Sequence, residues 1–318
     1  MPSVHRASPA AAPVDRRALV FGRSGQVARE IAARAARSGW TVVAVGRPDG
    51  DLRDTAAIDR MLDATPCTVV VNAAADTDVD GAESDPGRAF AVNADGAANL
   101  AAACARHGLP LVHVSTDYVF DGRLVGRGYR EDDPVGPLGA YARSKAEGEA
   151  AVRDLCPRHA IVRSAWLYSP HGRNFVRTMI RLAGERDEVR VVDDQVGNPT
   201  AAADLADMLL RVADHITADA DLSGTWHYAG SGAVSWHGFA RAIFDTMAQA
   251  RMRVPRLVPI PTVAYPSPTP RPANSRLDCG RAAGTFGITA PPWRASLSAC
   301  LDALGVSARP ERLTVGSD

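Results

Sequence analysis

The chain has 318 residues and a mass of 33.5 kDa; 46% of it is hydrophobic, 23% is charged, and 36 basic residues balance 36 acidic ones. This is the composition of a globular protein with its own core, and the even charge argues against nucleic acid or another polyanion as partner. No apolar run approaches the roughly 20 residues of a membrane span, and the Pro/Ala-rich residues 1–13 lack the apolar stretch of a secretory signal, so a cytoplasmic location is expected.

Residues 1–16 read as a tail. Arg17–Phe21 is a short apolar run of strand type, broken by Gly22-Arg-Ser-Gly25-Gln-Val-Ala28. A helical stretch follows with Val27, Ile31 and Ala35 on one face. Thr41–Val45, Cys67–Val71, Leu109–Val114 and Ala160–Arg163 predict four more strands, with helices between them, the longest at Asp85–His107. Near-continuous apolar strands alternating with helices predict an α/β fold, a doubly wound parallel sheet covered on both faces. That domain is expected over 17–165. A smaller mixed α/β region that binds substrate is expected over 166–305, with some of its strands and helices returning to the sheet. It shows a helix near Asn174–Arg186, a strand at Val189–Val192, a Pro-rich stretch over Val254–Pro272 and a closing helix near Ala295–Leu304. Residues 306–318 read as a second tail. The five cysteines (Cys67, Cys104, Cys156, Cys279, Cys300) lack metal-ligand spacing and read as reduced thiols.

Gly22-x-x-Gly25-x-x-Ala28 lies between the first strand and the first helix. Glycines there allow a tight turn and a close approach of backbone to a pyrophosphate, which the helix N-terminus attracts. This makes the sheet Rossmann-type and the ligand a nicotinamide dinucleotide. The second strand runs into Gly46-Arg47, and Arg23 sits in the turn. Two guanidinium groups favour a 2′-phosphate, hence NADPH. Asp49 and Asp51 lie close enough to keep NADH open.

All but one of the 36 basic residues are arginine, and the one lysine is Lys145. It follows Tyr141 by four residues, which puts both on one helical face. A tyrosine can give a proton to a forming alkoxide, and a nearby ammonium favours its phenolate. Ser115-Thr116-Asp117-Tyr118 ends the fourth strand, where ligands of open α/β sheets bind, and a hydroxyl there can align a substrate carbonyl.

Together these residues resemble the extended short-chain dehydrogenase/reductase family and, within it, the dTDP-4-dehydrorhamnose reductases. The shared marks are the glycine turn, Asn72-Ala-Ala-Ala75, Ser115–Tyr118 and Tyr141-x-x-x-Lys145. More specific are Gly25-Gln26-Val27, Val71–Asp80, Ser115–Phe120, Arg163–Tyr168, Asp194–Thr200 and Arg271–Leu277. The resemblance runs from residue 17 to residue 305.

The resemblance implies hydride transfer from NADPH to C4 of a dTDP-4-keto-6-deoxyhexose. Tyr141 would protonate the C4 oxygen, Thr116 would orient the carbonyl, and Lys145 would tune Tyr141 and hold the nicotinamide ribose. Cofactor contacts would come from Gly22, Arg23, Ser24, Gly25, Gln26, Val27, Arg47, Asp51, Leu52, Ala73, Ala74 and Ala75, with Tyr141 and Lys145. Substrate contacts would come from Ser115, Thr116, Asp117, Tyr118, Trp166 stacked on the sugar, Asn174, and Arg271 near the diphosphate or nucleotide, with Gln195 a weaker candidate. The related 4,6-dehydratases carry Asp-Glu after the threonine, and Asp117-Tyr118 lacks that acid pair. Some members hold a metal between subunits through glutamates. Glu30 is suitably placed, but Ala201–Ala203 offers no ligand, so no metal is expected. A monomer or homodimer is expected. Two other readings stay open: a 4-ketoreductase for another deoxysugar, as in antibiotic biosynthesis, and a non-catalytic NADP-binding regulatory subunit of methionine adenosyltransferase. Intact Thr116, Tyr141 and Lys145 favour an enzyme.

Overall fold

The computed structural model describes residues 16–306; the tails expected at 1–16 and 306–318 lie outside that range except for Arg16 and Val306. Strands β1 (Arg17–Phe21), β2 (Thr41–Val45), β3 (Val69–Asn72), β4 (Leu111–Thr116) and β5 (His159–Ser164) join the strand Gly224–His227 in one sheet. The order is Gly224–His227, β5, β4, β3, β1, β2, and every pairing is parallel. Along β1 the side chains alternate between two cores. Ala18 and Val20 face α1 (Gln26–Ala35) and the helix Ala202–Ala218. Leu19 and Phe21 face α2 (Thr55–Ala64) and the helices Gly96–Arg106 and Ala140–Leu155. Burial on both faces explains why the strands read as unbroken apolar runs, and each buried Val, Leu or Phe contributes about 1.5–3 kcal/mol.

Around the sheet, three departures from the expected boundaries matter. β3 begins at Val69 rather than Cys67. β4 runs over 111–116, two residues later than expected. Gly108, at φ +65°, ends the preceding helix, and the Leu109 N–H bonds the Cys104 carbonyl, so Leu109 belongs to a helix cap. The long helix expected at Asp85–His107 is interrupted by a π-turn over Ala91–Asp95, between Pro86–Phe90 and Gly96–Arg106.

The second half forms its own core around Tyr168, Met179, Phe239, Trp293 and Leu301. Its Pro-rich stretch contains a strand, Arg256–Ile260, paired parallel with Glu188–Val192. Pro259 is tolerated because this pair has only two strands and therefore only edges. All five cysteines are free thiols, and among the described residues no helix is long and apolar enough to cross a membrane.

The chain leaves β1 for β2 on one side and returns to β3 on the other. The strand order reverses there, which opens a crevice beyond the carboxyl ends of β1 and β3.

Candidate active site

Gly22 is the tightest point of that crevice. Its φ is +115°, and a Cβ there would lie 2.7 Å from the Ala73 carbonyl oxygen, so only glycine fits. Its N–H and that of Arg23 both bond the Val45 carbonyl, at 2.9 and 3.0 Å. Gly25 starts α1 with no side-chain cap, so the first N–H groups of the helix face the turn. Gly22, Arg23, Ser24, Gly25, Arg47, Asp51, Leu52, Ala73, Ala74 and Ala75 line one cleft of about 550 Å³. Turn, open helix end and cleft fit a dinucleotide pyrophosphate.

Two residues expected in that cleft are committed elsewhere. The Gln26 side-chain oxygen accepts from Ser169 Oγ and Asn174 Nδ2, both at 2.9 Å. Val27 is packed into the core. In the rest of the lining Arg53, Arg88 and Arg173 join Arg23 and Arg47, with Asp76 and Asp78 paired to Arg88. The acid Asp51 is engaged by Arg53 at 2.7 Å, and that hydrogen bond holds its carboxyl below the usual range. Asp51, one of the two acids that keep NADH open, is thus partly neutralised, which suits a 2′-phosphate. Arg53, Arg88 and Arg173 escaped the sequence reading because they are indistinguishable in so arginine-rich a chain.

Tyr141 stands in the first turn of the helix Ala140–Leu155. Glu83 closes that helix end, its carboxylate accepting the Ala140 N–H at 2.5 Å. Ser144 is fixed by Asn93 of the π-turn at 3.0 Å, and Asn93 also bonds both backbone groups of Asp76. Gly148 lets the two helices touch, since a Cβ there would meet the Asn93 carbonyl oxygen at 2.1 Å. Glu83 and Asn93 have no sequence signal of their own; their partners lie far away in the chain.

The Tyr141 hydroxyl faces the Thr116 hydroxyl, at the carboxyl end of β4. Burial raises the phenol well above its ordinary value, and Thr116 draws it back in part. The Lys145 ammonium, expected to lower it, is not among its largest influences. Lys145 Nζ points at β4, where it donates to the Val114 carbonyl at 2.8 Å and lies 3.4 Å from His113 Nε2. Burial pushes Lys145 down to about 8.

The expected sugar contacts divide. Tyr118 sets its ring edge-on to Tyr141, centroids 6.0 Å apart. Arg271 joins the Tyr118 hydroxyl at 3.1 Å to the Asp80 carboxylate at 2.9 Å. Asp117 does not border an open sugar site: its side chain is buried beneath Thr116. Ser115 is buried as well. Trp166 is 8% exposed, stacks on Trp236 at 3.5 Å and closes against Gly197, so it is core rather than an open platform. Asn174 is a helix N-cap, accepting the Arg177 N–H while its amide donates to Gln26 and to the Ser169 and His171 carbonyls. Gln195 is tied to Thr262. Glu30 is paired with Arg34.

The family model described as RmlD substrate binding domain matches residues 16–306. A dTDP-4-dehydrorhamnose reductase of Sinorhizobium fredii is 44% identical over 284 residues, 88% of this chain and 95% of the relative. The crystal structure of a dTDP-4-dehydrorhamnose reductase from Clostridium acetobutylicum superposes with a TM-score of 0.84 at 37% identity, covering 91% of this chain and 99% of the other. The Bacillus anthracis dTDP-4-dehydrorhamnose reductase, solved in complex with NADP, gives the same TM-score at 32% identity, covering 91% of this chain and all of that one. By sequence and by fold alike, the chain belongs to the dTDP-4-dehydrorhamnose reductase family.

Proposed function

We propose that the protein reduces the C4 keto group of a dTDP-4-keto-6-deoxyhexose with NADPH, giving dTDP-L-rhamnose or a close analogue. The observation that carries this reading is the Thr116 hydroxyl facing the Tyr141 phenol beside the glycine cleft, with Asp76 both lining the cleft and acting on that phenol. Gly22, Gly25 and the start of α1 hold the pyrophosphate, and Arg23 and Arg47 face the adenosine end. NADPH supplies the hydride when bound there.

Tyr141 gives its proton to the C4 oxygen as negative charge develops on it. Its raised pKa keeps it protonated at neutral pH, ready as an acid. Thr116 holds the phenol and aligns the carbonyl. Lys145 braces β4 against the Tyr141 helix through the Val114 carbonyl and would turn from it to hold the nicotinamide ribose. Residues 17–165 serve the cofactor and 166–305 mainly the sugar, a division supported by Arg271 reaching Tyr118. The free thiols support a reducing, cytoplasmic setting.

The test is loss of dihydronicotinamide absorbance on adding a freshly made dTDP-4-keto-6-deoxy sugar, with the product identified by NMR. Stoichiometric NADPH consumption and a C4 alcohol are expected. NADP binding without turnover across a panel of such sugars would instead mark a regulatory subunit, and the C4 configuration of the product separates rhamnose from other deoxysugars.

A further inference from the structure

Asp117 follows Thr116 in the chain, but the 3₁₀ turn Asp117–Val119 carries its side chain inward, where it is 3% exposed. Its Oδ1 lies 3.1 Å from Thr116 Oγ1. The Ser275 hydroxyl also faces the carboxyl, though too loosely to satisfy Oδ2, which has no hydrogen-bond partner among the described residues. Thr116 Oγ1 in turn accepts the Tyr118 backbone N–H at 3.2 Å and faces the Tyr141 hydroxyl. Three neighbours converge on one hydroxyl.

A hydroxyl has one proton and two lone pairs. Tyr118 N–H takes one lone pair, so once the Tyr141 hydroxyl closes on Thr116, one of Asp117 and Tyr141 must receive the proton and the other must donate. An ionised Asp117 can only accept. Thr116 would then give its proton to Asp117 and draw the phenol's proton to itself, away from any substrate. A protonated Asp117 reverses the row. It donates to Thr116, Thr116 donates to Tyr141, and the phenol's proton is free for an outside oxygen.

We propose that Asp117 is a positioning residue that acts in its protonated form, setting a row of hydrogen bonds that runs from Asp117 through Thr116 to Tyr141 and out to the substrate oxygen. The substrate in this proposal rests on the reductase reading above. When Tyr141 gives up its O–H proton, the Thr116 proton passes to the phenol oxygen and the Asp117 proton to Thr116. The carboxyl ends as a carboxylate and regains its proton from water after the alcohol leaves.

Burial favours the protonated form, because a buried carboxylate with an unsatisfied oxygen is costly. It pushes Asp117 up to about 7 against the pull of Ser275 and Thr116. The ionisable groups around it are Tyr118 and Tyr141, with Arg271 and Asp80 paired beside Tyr118 and Asp76 acting on Tyr141. Lys145 is turned to the Val114 carbonyl.

Difference infrared spectroscopy of the free protein tests this without any sugar. The wild type at pH 6 should show a protonated carboxyl band that titrates near 7 and is missing from Asp117→Asn. In turnover, Asp117→Ala should lower kcat about tenfold with little change in KM, the cost of one misdirected hydrogen bond. Asp117→Asn should recover most of that loss, because an amide N–H can replace the carboxyl O–H toward Thr116. Its alkaline decline should move from near 7 up to the Lys145 ionisation near 8. An ionised Asp117 at pH 6, or an Asn variant as slow as the Ala variant, overturns the proposal. A protonated band with no turnover of any keto sugar overturns the substrate reading and leaves the hydrogen-bond direction standing.

Discussion

Lys145 and His113 meet inside the protein, Nζ lying 3.4 Å from Nε2 with both side chains buried. The imidazole does not offer Lys145 an acceptor. Asn72 Oδ1 accepts the Ala74 N–H, so its amide nitrogen donates to His113 Nδ1 and leaves the ring proton on Nε2, facing the lysine. Burial, followed by Lys145 itself, holds His113 well below its usual value, so the ring stays neutral. The ammonium therefore has one firm acceptor, the Val114 carbonyl.

That arrangement costs stability. Burial lowers Lys145 from 10.5 to about 8, so the unfolded chain binds the proton more tightly than the folded one. The cost is present in full below about 8 and fades as pH rises toward 10.5. Lys145→Met should abolish turnover and yet raise stability at pH 7 by about 1–3 kcal/mol, with part of the gain offset by the lost bond to Val114. Urea denaturation at pH 7 and pH 9 reads this directly: the gap between variant and wild type should narrow at the higher pH. A variant less stable at both values would refute it.

Tyr141→Phe removes the proposed acid and nothing else of comparable size. Turnover should fall by roughly 10²–10⁴-fold, the range of a general acid. NADPH affinity, followed by nucleotide fluorescence, should stay within about threefold, a change of well under 1 kcal/mol. Near-normal turnover would remove Tyr141 from the mechanism.

The sheet and the reacting pair are legible in the sequence for definite reasons. Two-sided burial forces unbroken apolar strands, and Leu19–Phe21 and Val69–Val71, all buried, are such runs. Gly22 and Gly25 stand where a nucleotide turn requires them, and Lys145 is conspicuous as the one lysine. What stays hidden depends on contacts between distant segments or on the exact path of the backbone. The start of β4 is set by the cap at Gly108, and the role of Asn93 by a π-turn inside an otherwise ordinary helical pattern. Trp166 adopts φ +49°, a backbone state no sequence rule assigns to tryptophan, and its packing on Trp236 accounts for its burial. Asp117 reads as a polar residue beyond a strand end until the 3₁₀ turn is seen to direct it inward.

Gly22→Ala should damage the cleft more than the fold. The new Cβ would meet the Ala73 carbonyl oxygen at 2.7 Å with φ at +115°, so the backbone must shift. A cost of about 1–3 kcal/mol in stability is expected, with NADP affinity falling at least about tenfold because the turn no longer fits the pyrophosphate. Calorimetric titration with NADP checks it, and wild-type affinity would disprove the cradle.

Arg47→Ala addresses the choice of cofactor. Arg47 lines the cleft with Arg23, and Arg53 partly neutralises Asp51. The variant should raise KM for NADPH about tenfold and leave KM for NADH nearly unchanged, the loss of one charge-assisted contact to a phosphate. Equal effects on both cofactors would mean that the 2′-phosphate is read elsewhere.

Glu149 and Arg163 form a buried pair one helical turn beyond Lys145, with nitrogen–oxygen distances of 2.6 and 2.8 Å. Arg163 also lies over the Phe120 ring, 5.1 Å from its centroid. Burial, the largest influence, would raise Glu149, but Arg163, with smaller help from Ser115 and Arg153, outweighs it and holds the carboxyl below its usual value. The pair therefore adds stability above about 4.5, which is lost as pH falls through the lower folded value. Glu149→Gln leaves a buried guanidinium without its counter-ion and should cost about 3–5 kcal/mol at pH 7. The difference from wild type should shrink in acid, where the wild-type carboxyl is itself neutralised. Replacing both partners, Glu149→Leu with Arg163→Met, should cost less than Glu149→Gln alone, because no uncompensated charge remains. Denaturant unfolding of these variants and the wild type at pH 7 and pH 4 decides it: a double variant less stable than Glu149→Gln would show that the pair contributes more than mutual compensation.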